Sequence, residues 1–547
     1  MQSIRYTFSY LSTLLLSIHV YASGGAPLAD LGYVRYTGFT NETAGINYFR
    51  GIPYAQPPIG QLRWQKPLPI EELNSFAGQT INASAPAKLC YQAQPYSLWV
   101  DQPGNHSEGN TTYWNENYPQ SEGCLVLSVL APRYPVNNSL PVFVAIHGGG
   151  YTQGSGHMNS PGDAIVHKSN GSIIYVEIQY RLGIFGFLAG SSVMEDGVAN
   201  AGLLDQRAAL NWVQRHISAF GGDPNRVTIW GGSAGGGSVS FQLMAGGAFD
   251  KPPFSAAIVE YPWWQPLPSI STQETQFHTV LDIANCTSLS CLRSQPSSVL
   301  QFANQHAMNV SYPSPGTGFG TFYYGPVVDG SFIPYLPSEA LRRGRFYTVP
   351  LLVDRDADEG YYFSNLSMNS ISAELTDAAY LFPSAGRTFF SRLLTLYPRV
   401  NYDTIFAQRA AWFGDTVVNC PTARLAAAFV DRGAAVFKMV FAADGGRHSA
   451  TGVFLTEDSI GFPKAKNGTL ADIMSDYWIS FAKEHDPNVL KNAAAPIWPS
   501  YASDGEALDG VKFDVLRVED ERIAVQQDPD AASNCDFLAA QSHVIRN

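Results

Sequence analysis

A serine in a glycine-rich segment is the strongest candidate for chemistry in this 547-residue sequence. Ser233 lies in a G-x-S-x-G pattern, residues 231–235, directly after the apolar run 227–230. A nucleophile there needs a tight strand-to-helix turn, and small neighbours permit its strained backbone. The amide of Ala234, at the start of the next helix, would then face a developing oxyanion. A phosphate-binding loop is disfavoured because neither G-K-[ST] nor an acidic ribose partner follows.

A second glycine-rich segment, His147-Gly148-Gly149-Gly150, follows the apolar run 140–146. Consecutive glycines at the end of a strand allow backbone N–H groups to turn inward together and bind an anion. We predict that the amides of Gly149 and Gly150 complete an oxyanion hole with that of Ala234. This motif alone would be only suggestive, but together with the Ser233 turn it predicts a site for nucleophilic catalysis.

The elements that must hold these motifs follow an α/β pattern. Apolar strand-like runs at 140–146, 227–230 and 349–353 alternate with segments of helical spacing such as 203–217. Strand, crossover helix and strand in succession predict a mainly parallel sheet with helices on both faces. Neither an internal repeat nor a Pro/Ser/Gly-rich linker divides the chain. The sequence therefore predicts a single α/β domain over residues 23–547.

At these motifs the sequence resembles the type-B carboxylesterase/lipase family, which includes cholinesterases and secreted fungal lipases. The resemblance extends over nearly the whole mature chain. Its further motifs are Phe49-Arg50-Gly51-Ile52-Pro53-Tyr54-Ala55, Pro57-Pro58-Ile59-Gly60, Tyr180-Arg181-Leu182-Gly183, Gly202-Leu203-Leu204-Asp205-Gln206, Phe220-Gly221-Gly222-Asp223-Pro224 and Asp486-Pro487-Asn488. It implies an α/β-hydrolase fold and the hydrolysis of carboxylic esters, with neither a metal nor an organic cofactor.

The resemblance also assigns the base and the acid. His448 falls where the family places its general base, whereas His485 and His543 are interpreted as surface residues. Glu359, in Asp358-Glu359-Gly360, corresponds to the triad acid, and we expect its neighbouring carboxylates to be solvated. The alternating carboxylates 354–359 could suggest a calcium loop, but the sixth position is not glycine. The alternative acid is Glu260, which follows another apolar run.

An acyl-enzyme mechanism follows from these roles. Ser233 attacks the ester carbonyl while His448 takes its proton and later gives it to the leaving alcohol, and Glu359 orients the imidazole. Two positions differ from the residues that the family usually has, and these differences bear on which substrate is bound. Gly232 stands where the family usually has glutamate, and Thr451 where it has an acidic residue. A cationic choline ester loses a source of attraction, which favours neutral or apolar esters.

The six cysteines are predicted to form disulfides, because none has the spacing of a zinc site. Spacing suggests Cys90 with Cys124, Cys286 with Cys291, and Cys420 with Cys535. Six cysteines allow fifteen pairings, so spacing leaves the others open; the suggested pairing resembles that of the family. Segment 90–124 then corresponds to the family's lid or gorge rim. Two charge pairs, Arg63 with Glu122 and Arg181 with Asp205, resemble its buried structural ion pairs.

Two features predict secretion. Arg5, the apolar stretch 11–20 and Val20-Tyr21-Ala22 are typical of a signal peptide, so we predict that residues 1–22 are cleaved after Ala22. A buried N-terminal helix is the alternative. Asn-X-Ser/Thr sequons, the acceptors of N-glycosylation, occur at ten positions. They are Asn41, Asn82, Asn105, Asn110, Asn137, Asn170, Asn285, Asn309, Asn365 and Asn467.

Composition excludes several classes of protein. The chain is 45% hydrophobic and 15% charged, which excludes a disordered protein. Its net charge of −12 disfavours nucleic acid and anionic membrane surfaces as partners. After the N-terminus the sequence contains no apolar run long enough for a transmembrane helix.

The leading hypothesis is a secreted carboxylic ester hydrolase that acts on small-molecule or lipid esters. The alternatives are a triacylglycerol lipase with interfacial activation and an esterase or lactonase of a biosynthetic pathway. A non-catalytic adhesion-type relative is disfavoured, since such proteins typically lack the nucleophile or the base. Apolar residues in segment 90–124 cluster near Leu98 and Trp99, beside two sequons, which favours an esterase over a lipase. Sequence leaves the natural substrate and the oligomeric state open.

Overall fold

The computed structural model describes residues 25–72, 76–95, 119–159, 161–456, 464–502 and 513–547. The predicted signal peptide lies outside the described residues. So does most of segment 90–124, including Leu98, Trp99, Asn105 and Asn110.

A long, mainly parallel sheet runs through the centre of the fold. The strands are β1 (Leu28–Asp30), β2 (Arg35–Thr37), β3 (Phe39–Asn41), β4 (Ile46–Pro53), β5 (Thr80–Asn82), β6 (Val126–Pro132), β7 (Leu140–Ile146), β8 (Ile174–Ile178), β9 (Gly222–Gly232), β10 (Ala256–Glu260), β11 (Leu351–Asp356), β12 (Val436–Phe441), β13 (Asp514–Val518) and β14 (Ile523–Gln527). The central sheet has the order β14-β13-β12-β11-β10-β9-β7-β8-β6-β4-β3, and β1, β2 and β5 form a small separate sheet. The strands from β8 to β13 pair in parallel, and both edges of the sheet are antiparallel.

Helices cover both faces of this sheet. They are α1 (Gly156–Asn159), α2 (Asp163–Lys168), α3 (Gly183–Phe187), α4 (Ser191–Asp196), α5 (Ala201–His216), α6 (Ala234–Met244), α7 (Ile270–Ile283), α8 (Leu289–Ser294), α9 (Ser297–Val310), α10 (Pro337–Arg342), α11 (Ile371–Leu381), α12 (Arg387–Leu396), α13 (Ile405–Gly414), α14 (Cys420–Val430), α15 (Ala450–Leu455), α16 (Gly468–Glu484), α17 (Ser533–Ala540) and α18 (Ser542–Ile545). Strand β7 is buried along its whole length, with Val142, Val144 and Ile146 in one core cluster and Phe143 and Ala145 in the other. Because successive side chains of a strand point to opposite faces, a strand covered on both faces is apolar throughout.

The predicted α/β architecture is confirmed, with differences at the ends of elements. Strand β7 has the predicted bounds, and the helix predicted over 203–217 is α5. Strand β11 extends three residues beyond the predicted run, so that Asp354 and Asp356 belong to it. The expectation that these neighbours of Glu359 are solvated is wrong: both are fully buried. Asp356 accepts hydrogen bonds from Thr451 in α15, so the segment that follows β12 covers this end of β11.

Cross-links and ion pairs hold the periphery to this core. Disulfides join Cys90 to Cys124, Cys286 to Cys291 and Cys420 to Cys535, the same pairs that spacing suggested. The Arg63 guanidinium donates to both oxygens of Glu122, and that of Arg181 to both oxygens of Asp205, with all four side chains buried. Removing one partner of such a pair strands a buried charge, which costs about 3–5 kcal/mol. Over the described ranges, no helix is long and apolar enough to cross a membrane.

Candidate active site

Ser233 lies at the turn that joins β9 to α6. Its φ of 58° and ψ of −126° fall in a region that non-glycine residues seldom occupy. The flanking glycines permit this turn because nothing larger fits. A Cβ atom at Gly235 would lie 2.1 Å from the carbonyl oxygen of Ile146, and one at Gly231 would lie 2.6 Å from the carbonyl carbon of Gly235. The G-x-S-x-G pattern is therefore a steric requirement of this strand–turn–helix geometry.

Backbone hydrogen bonds hold the strained turn from both sides. The amide of Ser233 donates to the carbonyl oxygen of Glu260 at 3.2 Å, at the end of the neighbouring strand β10. The carbonyl oxygen of Ser233 accepts from the amides of Trp263 at 2.9 Å and Gly237 at 2.8 Å. The end of β10 and the segment that follows it thus fix the backbone of Ser233, and with it the position of the Ser233 side chain.

A continuous chain of polar contacts leads from Ser233 to Glu359. The Nε2 atom of His448 lies 2.9 Å from the Oγ atom of Ser233. The Nδ1 atom of the same ring contacts Oε2 of Glu359, whose other oxygen accepts the amide of Asp356 at 2.7 Å. Only 7% of His448 and 1% of Glu359 are exposed. A hydroxyl, an imidazole and a buried carboxylate in this order can perform nucleophilic and general acid–base catalysis.

Residues so distant in sequence meet because β11 and β12 are parallel neighbours whose carboxyl ends share one edge of the sheet. Glu359 follows β11 and His448 follows β12. Two backbone hydrogen bonds join the segments: the amide of Ala357 donates to Phe441 at 2.7 Å, and that of Asp358 donates to Gly446 at 2.6 Å. The sheet topology therefore positions the carboxylate beside the imidazole.

The glycine-rich segment after β7 lies beside Ser233. A Cβ atom at Gly148 would lie 3.1 Å from that of Ser233, and positive φ angles of 103° and 63° at Gly149 and Gly150 turn the backbone toward the site. Within the described part of the chain, the amides of Gly149 and Gly150 donate to no protein acceptor. Together with the unpaired first amides of α6, they can stabilise an anion next to Ser233.

His147 supports this segment from the interior of the protein. Its ring is buried and stacks on Tyr180 with a centroid separation of 4.3 Å, while Nδ1 lies 2.9 Å from the carbonyl oxygen of Gly148. Burial lowers the pKa of His147 to about 4. The side chain is therefore neutral at physiological pH and adds no charge to this segment.

Aromatic rings enclose the imidazole. The rings of Phe363, Tyr261 and Trp263 lie edge-on to His448, with centroid separations of 4.9, 5.2 and 5.8 Å. The phenol of Tyr261 fills the space that a side chain at Gly232 would need, since a Cβ atom there would lie 2.4 Å from its hydroxyl oxygen. The sequence did not predict that these three rings surround His448. The aromatic run Tyr261-Pro262-Trp263-Trp264 directly after β10 was the available signal.

The alternative site residues lie elsewhere or make other contacts. His485 caps the carboxyl end of α16, and His543 is exposed on the C-terminal helix α18. Glu260 is buried near the site, but Glu359 is the carboxylate in contact with His448. Among the residues that the structure describes, no three His, Cys, Asp or Glu side chains are arranged to hold a metal ion.

Comparison with known proteins places the chain among enzymes. A family model described as "Carboxylesterase family" matches residues 30–522. The chain belongs to that family. Carboxylesterase patB of Penicillium expansum is 30% identical to it over 90% of this chain and 94% of its own length. Secreted lipase 1 of Botryotinia fuckeliana is 31% identical over 88% of this chain and 89% of its own.

The solved structures agree with this membership in the carboxylesterase family. Aspergillus niger EstA has a TM-score of 0.82 and 29% identity, and the alignment covers 96% of this chain and all of that one. The fold is the α/β-hydrolase fold, and the protein is a carboxylic ester hydrolase of the carboxylesterase/lipase type. The resemblance of the sequence to the type-B family is thereby confirmed.

Proposed function

We propose that the protein is a secreted carboxylesterase that hydrolyses neutral or apolar esters through Ser233, His448 and Glu359. The observation that carries the proposal is the contact chain from the Ser233 hydroxyl through the His448 ring to the buried Glu359 carboxylate. The strained turn at Ser233 supports it, since strain of this kind concentrates at functional sites.

In the proposed reaction, the Oγ atom of Ser233 attacks the ester carbonyl carbon while Nε2 of His448 accepts the hydroxyl proton. The tetrahedral oxyanion receives hydrogen bonds from the amides of Gly149, Gly150 and Ala234. His448 then donates its proton to the alkoxide leaving group, and the acyl group stays on Ser233. Water deprotonated by His448 attacks the acyl-enzyme and releases the acid. Each oxyanion donor contributes about 3–4 kcal/mol to catalysis in related hydrolases.

The walls of the site support uncharged substrates with short to medium acyl chains. Trp263 contacts both Phe322 and Phe363, with ring centroids 5.8 and 4.3 Å away. The Phe322 ring also packs against Gly150, where a Cβ atom would lie 2.0 Å from it. These rings present an apolar surface next to Gly150 and His448. Neither Gly232 nor Tyr261 supplies a negative charge that would attract a cationic ester.

Secretion and glycosylation belong to the same proposal. The three disulfides require an oxidising compartment. Of the sequons within the described ranges, five are exposed and three are partly exposed. The exposed asparagines are Asn82, Asn137, Asn170, Asn285 and Asn309, and the partly exposed ones are Asn41, Asn365 and Asn467. Expression in a eukaryotic secretion host tests this, by N-terminal sequencing after Ala22 and by the mass lost on enzymatic deglycosylation.

The catalytic proposal is tested with p-nitrophenyl esters of graded acyl length. We expect the wild-type protein to hydrolyse the short and medium esters and Ser233→Ala to hydrolyse none, with unchanged thermal unfolding. Activity that persists in Ser233→Ala would contradict the proposal.

A triacylglycerol lipase is the second candidate, which the similarity to Secreted lipase 1 of Botryotinia fuckeliana favours. A lipase shows a steep rise in initial rate when tributyrin exceeds its solubility, and an esterase does not. Measuring that rate across saturation separates the two.

A further inference from the structure

Three buried carboxyl groups lie beside the proposed triad acid. Glu260 ends β10, and Asp354 and Asp356 end β11, where Glu260 pairs in register with Asp354. Each of these residues is no more than 1% exposed, as is Glu359 itself. The alternation of a strand places Asp354 and Asp356 on the same face, toward Glu260. Four carboxyl groups therefore share one small, dry region behind His448.

The cationic side chains of β11 and β12 contact other carboxylates, on the opposite face of the sheet. Arg355 points to the opposite face of β11 and donates to both oxygens of Asp530 at 2.7 and 2.8 Å. Lys438 of β12 contacts Asp528 and Asp530 at 2.6 to 2.7 Å. Neither charge is available to the carboxyl groups on the other face. A buried carboxylate without a cation is costly, so the group takes up a proton instead.

The titration of these groups agrees with that argument. Burial, together with the charges of Glu260 and Asp356, raises the pKa of Asp354 well above its usual range. Burial, together with the charge of Glu359, does the same to the pKa of Asp356. Burial raises the pKa of Glu260 to about 8, against the effect of two nearby indole N–H groups. Glu359 is the member of the set that contacts the His448 ring.

Asp356 connects the two turns that carry the acid and the base. Its backbone amide donates to Oε1 of Glu359 at 2.7 Å. Its side-chain Oδ1 accepts the backbone amide of Thr451 at 3.1 Å and the hydroxyl of Thr451 at 2.8 Å. Thr451 lies in the first turn of α15, three residues after His448. Ser449, between them, has a positive φ of 73°, so the turn is strained and requires support.

We propose that Asp356 is a positioning residue that acts as a neutral carboxylic acid and holds the His448 turn against the Glu359 turn. This inference rests on the proposed function, because it concerns the geometry of the same triad. The groups that face Asp356 are Glu359 and Asp354 on its own segment, Tyr261 directly after β10, the backbone amide of Ser449, and Thr451 from α15. The proton on Asp356 keeps a second negative charge away from the imidazole, and its acceptor oxygen fixes the position of α15.

The test compares Asp356→Asn, Asp356→Ala and Thr451→Val with the wild type by the pH dependence of kcat and kcat/KM for p-nitrophenyl butyrate. Asparagine keeps the acceptor oxygen and is neutral, so we expect kcat within threefold of wild type and an unchanged acid limb. Asp356→Ala removes the acceptor of both hydrogen bonds, whereas Thr451→Val removes the hydroxyl donor and leaves the backbone amide of residue 451. We expect each to lower kcat about 10- to 100-fold at unchanged KM, since small misplacements of catalytic groups have effects of this size.

The two variants that break the same contact are also combined. If the Asp356 carboxyl group acts through Thr451, the double variant Asp356→Ala/Thr451→Val will be little slower than Asp356→Ala alone. Additive losses would contradict the inference. Thermal unfolding of each variant identifies any that fail to fold, and Thr451→Val, the smaller change, then carries the test of the contact.

The remaining outcomes also decide the matter. A charged Asp356 would stabilise the imidazolium, so its replacement by asparagine would move the acid limb of kcat/KM to lower pH. That shift would contradict the proposal that Asp356 is a neutral carboxylic acid. Wild-type kcat in Asp356→Ala, or a change confined to KM, would overturn the positioning role. Ser233→Ala is measured in parallel: if it stays active, the proposed function itself fails, whatever the Asp356 variants do.

Discussion

Glu359→Gln provides a strong test of the proposed acid, because the structure gives each carboxylate oxygen a separate donor. Oε2 faces Nδ1 of His448, and Oε1 accepts the amide of Asp356. Glutamine offers one acceptor oxygen for these two donors. If the oxygen stays with Asp356, the glutamine amide donates to Nδ1, and the ring must then carry its proton on Nε2. That tautomer cannot accept the proton of Ser233.

The expected loss follows from this wrong tautomer and from the missing charge beside the imidazolium. The corresponding amide substitution in a serine protease triad lowers kcat about 10⁴-fold. We expect a loss of about 10³- to 10⁴-fold here, or roughly 4 to 5.5 kcal/mol in transition-state stabilisation. KM should stay within a few-fold, since Glu359 is buried behind the imidazole and away from substrate.

The assay is steady-state hydrolysis of p-nitrophenyl butyrate, normalised to folded protein by thermal unfolding. Glu260→Gln is the matched control, because Glu260 is equally buried and lies near the same site. It should retain activity within an order of magnitude. A loss below tenfold in Glu359→Gln, or an equal loss in Glu260→Gln, would refute the assignment of Glu359 as the acid.

Three further predictions concern the turn, the C-terminal segment and the substrate. Gly235→Ala should lower the free energy of unfolding by about 1–3 kcal/mol and should also lower activity, because its Cβ atom would lie 2.1 Å from the carbonyl oxygen of Ile146. Wild-type values in urea unfolding and in ester hydrolysis would contradict this prediction. Although burial opposes the effect, the positive charges of Arg355 and Lys438 lower the pKa of Asp530 to about 2. The stability that the Asp530 carboxylate contributes is therefore complete above about pH 4 and is lost as the pH falls toward 2. Asp530→Asn should lower the free energy of unfolding by about 3–5 kcal/mol at pH 7. In urea titrations, the unfolding free energy of this variant should depend less on pH in the acid range. Glycosylated protein should show little increase in rate when tributyrin passes its solubility limit, whereas a steep rise would favour the lipase.

The strained turn at Ser233 and the glycine-rich segment 147–150 were predictable as local structures because geometry restricts their residues. Only glycine fits at 231 and 235, and that requirement is visible in the sequence. The buried strand β7 was equally predictable, since burial on both faces makes its whole length apolar. In these segments the physical constraint and the sequence pattern involve the same few neighbouring residues.

The remainder of the site depends on contacts between distant segments. Asp354 and Asp356 have the sequence pattern of a solvated loop, but they are buried on the face of the sheet where Thr451 of α15 lies. The walls of the site combine Tyr261 and Phe363, from segments separated by a hundred residues, around one imidazole. Hydrophobic periodicity contains no information about such convergence, because it describes only the face that each element turns toward the core.

The most direct test of the account is covalent labelling by a fluorophosphonate, followed by intact mass measurement and peptide mapping. The account predicts one phosphonyl group per chain, located on Ser233, with hydrolysis lost in proportion to labelling. Ser233→Ala should take up no label while unfolding at the wild-type temperature. A label on another serine, or hydrolysis that persists after Ser233 is fully labelled, would contradict the central claim that Ser233 is the nucleophile.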